Sequence, residues 1–292
     1  MTRPRAWLAV PAAIVGLVFF AWPMASIIGT GLGEDPGRIG SILTDNRTVG
    51  ALWFTTWQAA ASTLLTLAVG LPVTWAVTRF SFRGRRLVRT LVTIPFVLPT
   101  VVVALAFIEL AGPSGLLGVD LLGTIWIVLV AHVFFNVAVV VRTVGGLWGH
   151  LDPALEDGAA SLGAGPWRTF RTVTLPLLRP AITAASAIVF LFSFTSFGVI
   201  LLLGAPRLAT IEVEIYRATA LLPDLPVAAV LALVQVIGVT AGLMLYARIQ
   251  ERSGIGQHLL PAAATRRRPV GRERAWSAAA IGGALAVTVT PL

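Results

Sequence analysis

Residues 150–180 read HLDPALEDGAASLGAGPWRTFRTVTLPLLRP, a patterned polar stretch between strongly apolar segments. The pair Asp152-Pro153 predicts the start of a helix, because an aspartate oxygen can accept an orphan backbone N–H and proline suits the first helical position. Gly163 predicts the end of this helix, since glycine readily adopts the left-handed conformation that closes many helices. The stretch therefore opens with a short predicted helix.

A second short helix is predicted from Pro166 until the Leu175-Pro176 pair ends it, because proline is tolerated at a helix start but not in its interior. The apolar residues of each helix recur at spacings of three and four, which places them on one face. These are Leu155, Ala159 and Leu162 in the first helix, and Trp167, Phe170 and Val173 in the second. The stretch is predicted to form two small amphipathic helices with a bend between them.

The composition of the whole chain is that of an integral membrane protein. Hydrophobic residues make up 57% of the 292 residues and charged residues 12%, with a mean hydropathy of +0.87. Soluble domains carry about 25% charged residues. The chain has no cysteine, which excludes disulfides, thiolate nucleophiles and cysteine metal sites.

Several uncharged runs are close to or above the ~20 residues that a helix needs to cross ~30 Å of hydrocarbon. They cover residues 6–33, 48–78, 90–108, 121–141, 180–206, 225–247 and 275–292. The sequence therefore predicts an all-α polytopic membrane protein with six spans and the start of a seventh. Pro95 and Pro99 fall inside the third run, which predicts a kinked or broken third span.

The 22 basic residues are all arginines, and their distribution predicts the orientation of the chain. With a cytoplasmic N-terminus and alternating spans, the inside segments hold 18 arginines and 5 acidic residues, and the outside segments hold 4 arginines and 8 acidic residues. The inside segments therefore carry a net charge of +13 and the outside segments −4, and the two sum to the net charge of +9. This positive-inside pattern accounts for the basic charge without a nucleic-acid partner.

Polar residues inside two predicted spans are candidates for a translocation path. His132 and Asn136 lie four residues apart, and hence on one face of the fourth span. Ser193, Ser196 and Phe197 belong to a polar and aromatic cluster in the fifth span. Such residues either line a pathway or form interhelical hydrogen bonds, and the pattern leaves both interpretations open.

The last segment of the sequence repeats the first in outline. Arg272-Glu-Arg-Ala-Trp276 precedes an apolar run, just as Arg3-Pro-Arg-Ala-Trp7 precedes the first span. A repeat of this kind predicts that residues 275–292 are the first span of a second copy of the unit. The predicted organisation is residues 1–50 as a first span and outside loop, 51–250 as a transmembrane core, and 251–274 as a cytoplasmic linker.

Residues 157–176 resemble the cytoplasmic loop of permease subunits of binding-protein-dependent ABC importers. The family signature is Glu-Ala-Ala, three residues, Gly, nine residues and Ile-x-Leu-Pro. Here the elements are Asp157-Gly158-Ala159, Gly163 and Val173-Thr174-Leu175-Pro176, with both spacings kept. The sequence departs from the signature in having Asp for Glu and Gly for the first Ala.

The resemblance covers nearly the whole chain, because the six spans and the position of the loop also fit. Residues 194–198 and 205–216 are most similar to the fused, double-length permeases for thiamine and for iron(III), which implies one of these as cargo. Such permeases carry two six-helix halves in one polypeptide, in agreement with the apparent repeat at Arg272.

The resemblance also implies partners and roles. The stretch 150–180 would dock on a separate ATPase subunit that holds ATP and magnesium, so this chain would need no cofactor and perform no bond chemistry. The absence of lysine agrees, because a P-loop places a lysine on the phosphates. The implied coupling residues are Leu155, Glu156, Asp157, Gly158, Ala159, Leu162, Gly163, Trp167, Phe170, Leu175 and Pro176.

Further implied partners are an extracytoplasmic solute-binding protein, a second permease half or homologous subunit, and the lipid of a bacterial cytoplasmic membrane.

Two other classes of protein compete with this interpretation. A self-contained secondary transporter would normally carry ionisable residues within its spans, where this sequence has His132 and, at a span end, Glu109. A membrane-embedded enzyme, such as a metalloenzyme or an acyltransferase, is the other; the scattered His132, His150 and His258 do not form a ligand set.

Overall fold

The computed structural model describes residues 10–23, 25–26, 29, 33, 36–252, 265 and 267–291. These residues form helices and two isolated backbone bridges, without a strand of a sheet. The helices are α1 (Val10–Gly16), α2 (Ile39–Thr44), α3 (Asn46–Arg79), α4 (Arg85–Thr93), α5 (Thr100–Ala111), α6 (Ile125–Trp148), α7 (Ala154–Ser161), α8 (Pro166–Phe194), α9 (Gly198–Leu203), α10 (Ile211–Tyr216), α11 (Leu225–Arg252) and α12 (Arg272–Val289). The all-α fold class predicted from the sequence is confirmed.

Four helices of the described residues, α3, α6, α8 and α11, are long and apolar enough to cross a membrane. A fifth candidate is a bent pair, Arg85–Val97 with Thr100–Ala111, whose two parts meet at 107°. The bend follows Pro95 and Pro99, as predicted, because neither proline can donate a backbone hydrogen bond to a continuous helix. Most of the predicted first span, residues 6–33, lies outside the described residues.

The fifth predicted span and the second predicted short helix are one helix, α8, so the expected helix end at Leu175-Pro176 is wrong. The turn Phe170–Thr174 is a π-helix, and the N–H of Leu175 donates to the carbonyl of Phe170. This wider turn lies directly before Pro176, where a regular turn would lack a donor and meet the proline ring. The helix then ends at Phe194, and a break separates it from α9.

The chain divides into two compact units, and the larger one contains residues 55–208 and 239–292. Its core is built by α6, whose inward positions are almost all buried valines, alanines and phenylalanines. Helix α3 lies close to α6 at Gly70, where a Cβ atom would come within 2.8 Å of the Cβ of Val140. On the other helix, Gly145 faces the methyl groups of Thr74 and Thr78. Small residues on both helices therefore permit this close approach, as is common between membrane helices.

Helix α12 packs on α4 and α6 in the same unit, with Ala284 buried in a cluster of valines from α3, α4 and α6. Its 18 residues would extend ~27 Å at 1.5 Å per residue. The proposal that this segment is the first span of a second copy stays a prediction.

The smaller unit contains residues 1–54 and 209–238. Its described residues line an open cavity of about 390 Å³, and charged residues of both signs contribute to the lining. Arg38 pairs with Asp224 at 3.2 Å, and Arg217 donates to Glu214 at 2.6 Å. The mixed charges are therefore largely compensated within the unit.

Candidate functional site

The patterned stretch begins with α7, whose two ends follow the local sequence signals. The Oδ1 atom of Asp152 accepts a hydrogen bond of 2.9 Å from the N–H of Ala154, as the Asp-Pro pair predicts. At the other end Gly163 has a φ of +81°, in the left-handed region. The N–H of Ala164 then donates to the carbonyl of Ala159, and that of Gly163 to Ala160. This is the Schellman arrangement, which closes a helix and turns the chain sharply.

Three apolar side chains of the stretch are exposed on the surface of the protein. Leu162 is 91% exposed, Trp167 71% and Leu155 49%. These residues are called the exposed apolar triad below. Side chains this exposed leave much of their apolar surface uncovered by the chain itself, and clustered exposed apolar residues commonly mark a binding surface.

Phe170 differs from the triad, although the resemblance implies a coupling role for all four residues. It is half-buried and packs against the buried cluster that contains Trp148 and Leu178. Its ring also stacks on Trp167, with 5.8 Å between the ring centroids. Phe170 therefore packs between Trp167 and the buried cluster, and it is less exposed than the triad.

The remaining residues of the predicted coupling set lie around the same turn. Asp157 and Gly158 are exposed on α7, and Ala159 is half-buried. Leu175 and Pro176 are half-buried at the start of the long regular part of α8. The structure thus brings the whole set together on α7, the turn at Gly163 and the first turns of α8.

Glu156 has a different environment from its neighbour Asp157. Its Oε1 atom lies 2.6 Å from Nη2 of Arg79, and it accepts a hydrogen bond of 2.8 Å from the hydroxyl of Thr174. Arg79 is the last residue of α3, and Thr174 belongs to the π turn of α8. Glu156 therefore joins α7 to both neighbouring helices.

A segment from the last part of the chain lies against the end of α3. The N–H of Arg267 donates to the carbonyl of Arg79 at 3.1 Å, and the N–H of Ser81 donates to the carbonyl of Arg267 at 3.0 Å. The guanidinium of Arg267 lies over the ring of Phe80 and hydrogen-bonds to Glu273. That hydrogen bond raises the pKa of Arg267 and lowers the pKa of Glu273.

Four of the five predicted path residues, on α6, on α8 and in the break after α8, belong to a buried polar network. The two ring nitrogens of His132 lie 2.8 Å from the hydroxyls of Ser62 and Ser196, and Asn136 donates to the carbonyl of His132. Ser193 is fully buried, whereas Phe197 is 38% exposed. The burial of four of these five residues within one chain favours the interhelical hydrogen-bond interpretation.

Two members of this network were not predicted from the sequence. Gln58 and Ser62 lie on α3, and the Nε2 atom of Gln58 donates a hydrogen bond of 2.7 Å to the carbonyl of Ser193. Their spacing of four, the same as that of His132 and Asn136, was the available signal. The Oε1 atom of Gln58 and the Oγ atom of Ser193 are buried without a hydrogen-bond partner.

The two carboxylates of α10 are both engaged by neighbours. Glu214 pairs with Arg217, and Glu212 accepts a hydrogen bond of 3.0 Å from Gln235. Burial raises the pKa of Glu212, and the hydrogen bond from Gln235 partly offsets this effect. Within the described residues, no group of three or more His, Asp or Glu side chains could hold a metal ion.

Residues 67–255, more than half of the chain, match the profile of a family described as binding-protein-dependent transport system inner membrane component. The chain belongs to this family, and it is a multi-pass inner-membrane permease subunit of an ABC importer. The resemblance seen at residues 157–176 is thereby confirmed.

Curated relatives align over most of the chain. The permease protein PhnU of Salmonella typhimurium, assigned to 2-aminoethylphosphonate transport, is 28% identical over 87% of this chain and 94% of its own length. The molybdenum transport permease ModB of Mycobacterium tuberculosis is 32% identical over 80% and 90%. The thiamine transport permease ThiP of Brucella abortus is 34% identical, but over 56% of this chain and 33% of its own length.

Solved structures share the fold. A chain of a bacterial alginate ABC transporter, solved with a periplasmic protein bound to an alginate pentasaccharide, has a TM-score of 0.70 and 19% identity over 85% of this chain and 93% of its own. A chain of the MetNI methionine ABC transporter has a TM-score of 0.57 and 18% identity over 71% and 96%.

Proposed function

We propose that residues 150–180 form the coupling loop of this permease, and that α7 and the first turn of α8 dock on a separate ATPase subunit. The observation that carries the proposal is the exposed apolar triad at a helix turn whose spacing fits the family signature. Apolar and aromatic residues that fill a partner's pocket supply most of the binding energy of an interface. ATP and magnesium would be held by that partner.

Exposed leucines on two different loops provide a matched test of docking. Leu162 is 91% exposed and Leu116 is 88% exposed, so neither Leu162→Ser nor Leu116→Ser removes packing within the chain. We expect Leu162→Ser to reduce co-purification of the ATPase subunit by about tenfold or more, since loss of an interface anchor costs over ~1 kcal/mol and often ~2 kcal/mol. Leu116→Ser should leave co-purification unchanged.

A second pair of variants tests the turn. Gly163 has a positive φ, whereas Gly165 has ordinary extended backbone, and an added Cβ has open space at both positions. Gly163→Val should therefore weaken ATPase binding or its coupling to transport, while Gly165→Val should not. Full ATP-driven uptake by Gly163→Val and wild-type binding by Leu162→Ser would contradict the proposal.

The orientation and the remaining partners belong to the same proposal. We place the N-terminus and residues 150–180 in the cytoplasm, because the arginine-rich segments then lie inside. A solute-binding protein would deliver cargo to the opposite side, and a second permease half or homologous subunit would complete the path. Relatives named as transport-system permeases, and a related importer solved with its periplasmic protein, support this arrangement.

For the cargo, we propose a small charged solute. The resemblance of residues 194–198 and 205–216 favours thiamine or iron(III), and the aligned part of ThiP supports thiamine. The relatives that align over most of their length carry names for 2-aminoethylphosphonate and molybdenum transport, and therefore support an anion. Uptake into proteoliposomes of each of these four solutes, with the cognate solute-binding protein present, would distinguish the candidates.

A further inference from the structure

The connections of α7 to the rest of the chain leave it poorly held by the backbone alone. It joins α8 through Gly163 and Gly165, and glycines permit more backbone conformations than other residues. Its buried face is small, since no residue of α7 is buried. A force applied to the exposed apolar triad would therefore rotate α7 relative to its neighbouring helices, unless a side-chain contact prevents this rotation.

The pair Arg79–Glu156 is such a contact. The side chain of Arg79 is only 7% exposed, and its Nη2 atom lies 2.6 Å from Oε1 of Glu156. The angles at this contact fall outside those of a hydrogen bond, so the attraction is between the charges. A buried charge that loses its partner is left uncompensated, which strongly opposes separation of the pair.

The same carboxylate oxygen also holds α8, because it accepts the hydrogen bond from Thr174. Thr174 is buried in the π turn. One oxygen atom of Glu156 thus contacts the end of α3 and the start of α8, and it fixes α7 between them.

Arg79 is itself held in place. Its carbonyl accepts the N–H of Arg267, and the next residue, Phe80, is fully buried. Near the middle of the same helix, Gln58 donates to the carbonyl of Ser193 and Ser62 contacts His132. Helix α3 therefore connects Glu156, which contacts its last residue, with the buried polar network, which contacts its middle.

We infer that Arg79 and Glu156 are positioning residues that make α7 move together with α3, so that a displacement of the coupling loop reaches the buried polar network. The inference rests on the proposed function of residues 150–180. It assigns Glu156 a role within the chain, separate from any contact of Asp157 with the ATPase.

Pulsed EPR can test this inference, because the chain has no cysteine and accepts spin labels only at engineered positions. Ser161→Cys on α7 and Ala68→Cys on α3 are both exposed. In the importer complex assembled from the labelled chain, we expect one narrow distance distribution, unchanged in shape between the nucleotide-free and ATP-bound states. Glu156→Gln should broaden this distribution.

The functional readout is the stimulation of ATP hydrolysis by the solute-binding protein in proteoliposomes. Glu156→Gln should reduce the stimulation about fivefold, within the range seen for residues that transmit coupling. The ATPase subunit should still co-purify, since the exposed apolar triad is intact. The double variant Arg79→Gln/Glu156→Gln should be no worse than Glu156→Gln, because it leaves no unpaired buried charge.

Asp120→Asn provides a control for loss of an exposed carboxylate far from α7 in sequence, and it should behave as wild type. If Glu156→Gln fails to insert into the membrane, the same measurements are made on Thr174→Val and on the double variant. Wild-type distance distributions and stimulation in these variants, with the ATPase bound, would overturn the inference. Failure of the unmutated chain to bind an ATPase would instead contradict the proposed function.

Discussion

At the residue scale, the neighbours Glu156 and Asp157 show that adjacent carboxylates can have different environments. Asp157 is exposed on α7, whereas Glu156 is half-buried and holds Arg79. The sequence distinguishes them only by their positions on the helix, because each is an acid in the first turn. The partner of Glu156 lies 77 positions earlier in the chain, so tertiary packing decides its environment.

Substitution of His132 distinguishes the two interpretations of the polar network. His132→Leu would leave the hydroxyls of Ser62 and Ser196 without the ring, so we expect a loss of about 0.5–2 kcal/mol in the free energy of unfolding. The measurement is unfolding in detergent, beside ATP-driven uptake. The triple variant Ser62→Ala/His132→Leu/Ser196→Ala should regain part of the stability. Unchanged stability with abolished uptake would instead favour a direct role in the translocation path.

At the element scale, local signals predicted both ends of α7 but not the length of α8. Asp152 and Gly163 act within a few residues, through a single hydrogen bond from a backbone N–H to the Asp152 carboxylate and a single left-handed residue. The continuation of α8 through Pro176 depends on the π turn before it and on packing of Phe170 against Trp148 and Leu178. These tertiary contacts override the local preference against proline, and no local pattern reports them.

Glycines of α3 and α6 provide a matched prediction for helix packing. A Cβ atom at Gly70 would lie 2.8 Å from Val140, whereas a Cβ atom at Gly146 meets nothing within 4 Å. We expect Gly70→Ala to destabilise the protein by about 1–3 kcal/mol through overpacking. Gly146→Ala should be neutral or stabilising by up to ~1 kcal/mol, because alanine is the better helix former. Thermal unfolding of both variants in the same detergent checks the opposite signs, and equal effects would contradict the close approach of the two helices.

At the scale of the whole molecule, the amount of apolar sequence and its division into runs predicted the all-α class and the approximate spans. The ends of the spans were harder to place, because uncharged runs do not report where helices bend or continue into polar segments. Helix α6, for example, extends past Arg142 to Trp148. The buried network could not be assembled either, since Gln58 and Ser193 are 135 positions apart.

The predicted orientation is testable with single cysteines in a chain that has none of its own. Ser114 and Ser161 are both exposed, and the arginine distribution places Ser114 outside and Ser161 in the cytoplasm. In spheroplasts, whose cytoplasmic membrane is intact, a membrane-impermeant maleimide should label Ser114→Cys. Ser161→Cys should react only after the membrane is permeabilised. The reverse pattern would invert the assignment of sides.

The π turn at Phe170–Thr174 has a consequence for insertions and deletions. A π turn amounts to one residue inserted into an α-helix, and each residue turns an α-helix by about 100°. Deletion of one residue from this turn would restore a regular helix and rotate Trp167 by about that angle relative to Ser193. All residues of the proposed docking face would be retained, yet this face and the part of α8 after the π turn would be out of phase. The relative phase of the two faces is therefore set by a single residue.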